Sequence, residues 1–343
     1  MATLTLKPSG LRELLTAAIN ARLRVLTVSA PGSGKTAIMR QVCADMGVKL
    51  IVSHPAVEDP TDPKGMPWIA NGRADFVPFG ALRQAIETTE KTVWFLDDVG
   101  QAAPAVQAAY MQLIHGGQLG EHRISDHVVF MAATNRRTDR SGVAGILEAV
   151  KSRFHTIVEL ESDLDEACEW AFANGIIPEF PAFWRFKPEL YSAFAPTADL
   201  TNSPTARTWE HASDIMKLDI SPAVQTAALA GSIGAGAAAE VLAFVKMSRS
   251  LPNIDAILMD PTHGDIPKEP AVRYALAGAL AYRATPANFE RIRQYAERLI
   301  GAQAAEFAVL MVRDACRRDK ALCSTQAFVK MSTSELGQLV NGR

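Results

Sequence analysis

Residues 29–36 read Ser-Ala-Pro-Gly-Ser-Gly-Lys-Thr, and no other segment restricts the fold as tightly. Before them runs Arg24-Val25-Leu26-Thr27-Val28, apolar and β-branched as a buried parallel strand should be. After them Ala37-Ile38-Met39-Arg40-Gln41-Val42 has one apolar face at helical spacing. A glycine-rich turn between a strand and a helix aims several backbone N–H groups and the positive end of the helix at one place, which suits phosphate. In that arrangement Ala30, Pro31, Gly32, Ser33 and Gly34 form a cradle, and the two glycines let the backbone approach the ligand. Lys35 reaches the β- and γ-phosphates, and Thr36 sets its hydroxyl on a Mg²⁺ ion. The usual pattern opens with Gly, where this chain has Ser29. The expected fold class is α/β, a parallel sheet covered by helices.

Two more strand ends bring polar groups to the same edge. The apolar run Thr92-Val93-Trp94-Phe95-Leu96 ends in Asp97-Asp98. Asp97 is placed to hold the Mg²⁺ shell and Asp98 to orient or deprotonate an attacking water. The run 127–133 continues into Thr134-Asn135, and Asn135 can meet the γ-phosphate or that water. Alone, an acid pair at a strand end is a solvated surface feature and an Asn is a turn residue. Behind a phosphate loop, in this order, they form a nucleotide site. Arg136-Arg137 follow, and then Lys151-Ser152-Arg153-Phe154 precedes a strand at 156–160.

This ordered set resembles the AAA+ ATPases, and within them the MoxR-like branch of the dynein-related type. Asn135 stands where the family has its sensor-one residue and Arg153 where it has its arginine finger, with Arg136, Arg137 and Arg140 as competitors. Ser203-Pro204-Thr205-Ala206-Arg207-Thr208-Trp209-Glu210 is similar to the start of the sensor-two helix, with Arg207 as sensor. Asp59-Pro60-Thr61-Asp62-Pro63-Lys64-Gly65-Met66-Pro67 resembles the family's helix-two insert, and residues 116–123 its hairpin before the sensor-one strand. The resemblance spans about residues 8–245. The family usually has Glu at the position of Asp98, and Thr205-Ala206 before Arg207 shifts the sensor-two register.

The resemblance implies a Mg²⁺-dependent ATPase. ATP would be held by residues 30–36 and Asp97, and the metal by Thr36 and Asp97. Catalysis would fall to Asp98, Asn135, Arg153 and Arg207. It implies a ring, hexameric in this family, with Arg153 reaching the neighbour's nucleotide, and a remodelled protein partner that carries a von Willebrand A-like domain. Two other readings stand beside it. One is a nucleic-acid-directed translocase, which would need basic pore loops; only Lys64, Arg73, His122 and Arg123 lie in or near the inserts. The other is a nucleotide-dependent switch with weak hydrolysis, motivated by Asp98.

The formal net charge of −2 disfavours a dedicated nucleic-acid binder. No apolar run of about 18 residues predicts a membrane span, and Met1-Ala2-Thr3-Leu4-Thr5-Leu6-Lys7 lacks a signal peptide's order, so a cytoplasmic location is expected. Cys43, Cys168, Cys316 and Cys323 form no CxxC pair and are expected as buried, reduced thiols, and the seven histidines show no metal-ligand spacing.

Pattern divides the chain into a nucleotide-binding α/β domain at 1–160, an all-α lid at 161–249 and a linker with an all-α extension at 250–343. Strand signals end near residue 160. Beyond it, helices are expected at 163–174, 208–218, 222–247, 271–283, 286–300 and 304–317, with an aromatic lid core at 183–194. Gly231, Gly234 and Gly236 follow no strand, so they are expected to serve helix packing rather than a dinucleotide. Residues 250–270, rich in Pro, Asp and Gly, read as a long loop.

Overall fold

The apolar runs become a parallel sheet. The strands in chain order are β1 (Thr5–Leu6), β2 (Val25–Ser29), β3 (Lys49–Ser53), β6 (Thr92–Leu96), β9 (Val128–Asn135) and β10 (Thr156–Leu160), and their spatial order is β1-β10-β2-β9-β6-β3. Every pairing is parallel. Two antiparallel ribbons stand apart from it, β4 (Met66–Ala70) with β5 (Arg73–Val77) and β7 (Gln118–Leu119) with β8 (His122–Arg123). The computed structural model describes residues 5–70, 73–119, 122–139, 145–196, 200–248 and 251–341. They fall into two compact units. One holds the described residues up to Asp163 with Phe194–Pro196, and the other holds Leu164–Ala193 and those from 200 onward.

In the first unit, side chains alternate along each strand between the two faces of the sheet. Val93, Phe95, Val129, Met131 and Ala133 pack with Leu11, Leu15 and Ile19 of α1 (Pro8–Ala21) and with Met39, Val42 and Cys43 of α2 (Lys35–Met46). Their strand neighbours Trp94, Leu96, Val128, Phe130 and Ala132 face the other way. They pack with residues of α4 (Gly80–Glu87), α5 (Pro104–Gly116) and α6 (Glu148–Lys151). A sheet buried on both faces needs such continuous apolar strands, and this is why they were legible. A short helix, α3 (Thr61–Lys64), leads into the first ribbon.

The second unit is helical. It comprises α7 (Leu164–Ala173), α8 (Glu179–Phe186), α9 (Ala206–Met216), α10 (Pro222–Ile233), α11 (Ala235–Ser248), α12 (Ile254–Met259), α13 (Pro270–Arg283), α14 (Phe289–Gly301), α15 (Ala305–Arg318), α16 (Gln326–Ser332) and α17 (Glu335–Val340). The aromatic core contains Phe180, Phe183, Trp184 and Trp209, with the Phe180 and Trp209 centroids 5.1 Å apart.

Several expectations need correction. The helix expected at 222–247 breaks at Gly234, whose φ of +81° is left-handed and whose missing Cβ would meet Asn202 O at 3.0 Å. Added Cβ atoms at Gly231 and Gly236 would meet nothing within 4 Å, so these two do not serve close packing. Residues 251–270 are not all loop: Asn253 caps α12, which buries Ile257 and Leu258. Cys43 and Cys168 are buried, but Cys323 is exposed; all four thiols are free. No described helix is long and apolar enough to cross a membrane.

Candidate functional site

The parallel register gathers the polar strand ends at one edge. Ser29 of β2 lies opposite Asn135 of β9, and Leu96 of β6 lies opposite Ala132. Ser29, Asp97, Asp98 and Asn135 therefore end their strands together, although up to about 100 residues separate them. The loop turns on left-handed glycines, Gly32 at φ +72° and Gly34 at φ +89°. No side chain caps the helix that follows, which leaves its first N–H groups to a ligand. Ser33 Oγ donates to Ala30 O at 2.7 Å and closes the turn.

Lys35, 8% exposed, donates from Nζ to Asn135 Oδ1 at 2.7 Å, Ser29 Oγ at 3.0 Å and Ala30 O at 3.3 Å. Asn135 Nδ2 in turn donates to Asp98 Oδ1 at 3.2 Å. The amide thus bridges the lysine and the second acid. Thr36 Oγ1 donates to Asp97 Oδ2 at 2.5 Å, so the two oxygens assigned to a metal lie side by side. Asp97 Oδ1 accepts the Asp98 N–H at 3.1 Å, and the Asp97 N–H donates to Ser53 O at 2.9 Å. Asp98 has φ +56°, a left-handed conformation that Asp tolerates better than most residues. Among the described residues no three His, Cys, Asp or Glu side chains come together as a metal cluster. A site of one hydroxyl, one carboxylate and ligand phosphates suits Mg²⁺, which keeps several waters.

Arg153 follows α6 and precedes β10, at the opposite end of the strands from the loop; its Nη1 donates to Ser152 Oγ at 3.3 Å and its buried Nε has no partner. Of its competitors, Arg136 pairs with Glu159, Arg137 is exposed, and Arg140 lies outside the described residues. Arg207 belongs to the second unit. Its helix, α9, starts two residues earlier than expected, because Thr205 and Thr208 form a reciprocal cap at 3.2 and 2.8 Å. Arg207 is therefore in the first turn, and Trp209 anchors that turn by donating to Leu190 O and Tyr191 O at 3.2 and 3.1 Å.

Two features escaped the sequence reading. The Ser29 hydroxyl is a lysine partner, and the departure from Gly was its signal. The insert is a β-ribbon, signalled by Asn71-Gly72 between β-prone runs. Met66, Trp68, Ile69, Phe76 and Val77 on it are exposed, Trp68 to 62% and Ile69 to 75%. The His122 ring donates from Nε2 to Phe76 O, tying the second ribbon to the first. Tyr110 of α5 donates to Glu58, whose carboxyl is pushed up chiefly by burial. Gly120, Glu121 and the Arg73 side chain lie outside what is described.

Residues 24–154 match the family model for the AAA domain, dynein-related subfamily. Comparison with curated proteins gives no match. Among solved structures the chain is similar to the RuvB Holliday junction branch migration motor of Thermotoga maritima. The identity is 16% and the TM-score 0.40, over 80% of this chain and 80% of that one. It is similar to NtrX from Brucella abortus at 16% identity and TM-score 0.37, over 97% of this chain and 67% of that one. For NtrX in complex with ADP the values are 16%, 0.35, 96% and 68%.

Proposed function

From an AAA domain at residues 24–154, we propose a Mg²⁺-dependent ATPase that works as a ring motor on a protein partner. The observation that carries this reading is the single network Ser29–Lys35–Asn135–Asp98, with Thr36 and Asp97 beside it at the mouth of an uncapped helix. Bound Mg²⁺·ATP would supply the γ-phosphate under attack and neutralise charge on the leaving group. Lys35 exchanges its amide and hydroxyl partners for phosphate oxygens. Asn135, released from the lysine, holds Asp98 and the water. Asp98 accepts that water's proton, and its left-handed backbone sets where its short carboxylate reaches.

Arg153 is the finger offered to a neighbouring subunit, and Arg207 the sensor of the helical unit. Both roles come from the family resemblance, as do the hexameric ring and a von Willebrand A-like partner. Exposed apolar side chains on both faces of the first ribbon, Trp68 on one and Ile69 with Phe76 on the other, support a protein partner, and the net charge of −2 disfavours nucleic acid. Phosphate release and calorimetry on the parent and Lys35→Ala test the proposal. The parent should bind and hydrolyse ATP, and the variant should bind at least tenfold more weakly, the worth of about 1.5–3 kcal/mol in a charge-assisted contact. Equal affinities refute the site. Binding without turnover establishes the switch, for which the shorter Asp98 is the motive.

A further inference from the structure

A parallel sheet has two unlike edges, and the phosphate loop uses only one. At the other, about 16 Å away along a five-residue strand, a cavity of about 270 Å³ opens where β2, β9 and β10 begin. Arg22, Arg24, His115, Arg123 and His155 line it, with Asp126 as the one acid among the described residues. Asp126 is engaged by Arg123 at 3.3 Å in an exposed, screened pair.

The two remaining guanidinium groups are held in place. Arg22 Nη2 donates to Val128 O at 3.3 Å, and Arg24 Nη1 donates to Ile114 O in the last turn of α5. His155 Nδ1 accepts the Arg24 N–H at 3.0 Å, which leaves Nε2–H as the ring's donor. Capping of a helix C-terminus accounts for Arg24 Nη1. It does not account for Arg24 Nε, which is buried with no partner, nor for Arg153 Nε close by in the same condition. Burial, and then the charge of Arg153, push the Arg24 pKa down. Two buried donors left unpaired on neighbouring like charges are costly to hold unless an anion faces them. Each guanidinium carries five donors, and one backbone carbonyl takes only a fraction of them.

We propose that this edge is a second anion site, separate from the phosphate loop, which takes a phosphate-type oxyanion, either free or as the end of a nucleotide's phosphate tail. Anchored arginines with spare donors suit the several oxygens of a phosphate. The cavity holds roughly nine water volumes, room for the five heavy atoms of orthophosphate or the nine of diphosphate. The inference does not rest on the ATPase reading, because none of its residues belongs to the nucleotide loop.

Calorimetric titration of the full chain with orthophosphate and pyrophosphate, in the parent and in Lys35→Ala, tests it. The phosphate loop is a further site in the parent, so Lys35→Ala isolates the far edge, and one phosphate-binding site is expected to remain in it. Added to Lys35→Ala, the double variant Arg22→Gln/Arg123→Gln, at exposed positions, should bind at least tenfold more weakly, and Arg24→Gln in that background weaker still. If Arg24→Gln does not fold, the double variant decides. ADP titrated into Lys35→Ala separates the sources. Binding that the double variant loses names the nucleotide tail, and phosphate binding without ADP binding names the free anion. No binding of millimolar phosphate to Lys35→Ala, or undiminished affinity when Arg22→Gln/Arg123→Gln is added to it, overturns the proposal.

Discussion

Replacing Asn135 by Ala would cut the bridge between Lys35 and Asp98 while leaving the phosphate loop intact. Asn135 is 8% exposed, accepts from a cation at 2.7 Å and donates to a carboxylate at 3.2 Å. The shorter bond falls in the charge-assisted class of about 1.5–3 kcal/mol, and the longer one adds less. Lys35 keeps Ser29 Oγ and Ala30 O, so part of that loss is recovered, and a net destabilisation of about 1–3 kcal/mol is expected. For a unit of this size that corresponds to a fall in Tm of about 2–12 °C. ATP affinity should change less than tenfold, because the loop glycines, Lys35 and the helix N-terminus remain. Turnover should fall about 10²–10³-fold, the usual worth of one preorganised polar group at a reacting centre. Calorimetry with Mg²⁺·ATP, phosphate release and thermal melting read these three quantities separately. Turnover within twofold of the parent would refute the role given to the bridge. So would loss of ATP binding as complete as in Lys35→Ala.

Asp98→Asn keeps an oxygen for Asn135 Nδ2, so ATP binding should persist while turnover drops about 10²–10⁴-fold; an unchanged rate in a phosphate-release assay would remove Asp98 from the mechanism. Arg153→Lys should lower turnover but not folding or ATP binding, since an ammonium cannot reproduce the planar fork. Mixing it with Lys35→Ala should restore some activity across subunit interfaces, and mixtures no better than their components would count against a trans finger. In the helical unit, Asp314 is 3% exposed and receives Arg185 Nη2 at 2.6 Å, yet burial pushes its carboxyl up to about 6 from 3.8. A carboxyl raised by folding contributes its stability fully below about pH 4 and loses it as pH rises through 6. Urea unfolding should therefore show that unit losing about 1–3 kcal/mol between pH 4 and 7, and Asp314→Asn should flatten that slope. A slope unchanged in the variant would assign the titration elsewhere.

Local structure is what the sequence alone determined. The candidate phosphate loop is contiguous, so Gly32, Gly34, Lys35 and Thr36 were legible between their strand and helix, as were the acids after β6 and the Asn ending β9. The sheet followed, because strands buried on both faces must be apolar throughout. Tertiary structure decided what depends on register and packing. The contacts Thr36–Asp97 and Lys35–Asn135 join residues 61 and 100 positions apart, and only the parallel register makes them neighbours. The Ser29 hydroxyl gained a partner for the same reason. Gly234 looked like one more small residue in a long helix, but its left-handed φ and the nearby Asn202 carbonyl ended one helix and began another. At the far edge, Arg22, Arg24, His115, Arg123 and His155 share no motif. They became one cavity because β2, β9 and β10 all start there and α5 ends there, a coincidence of topology that residue spacing does not encode.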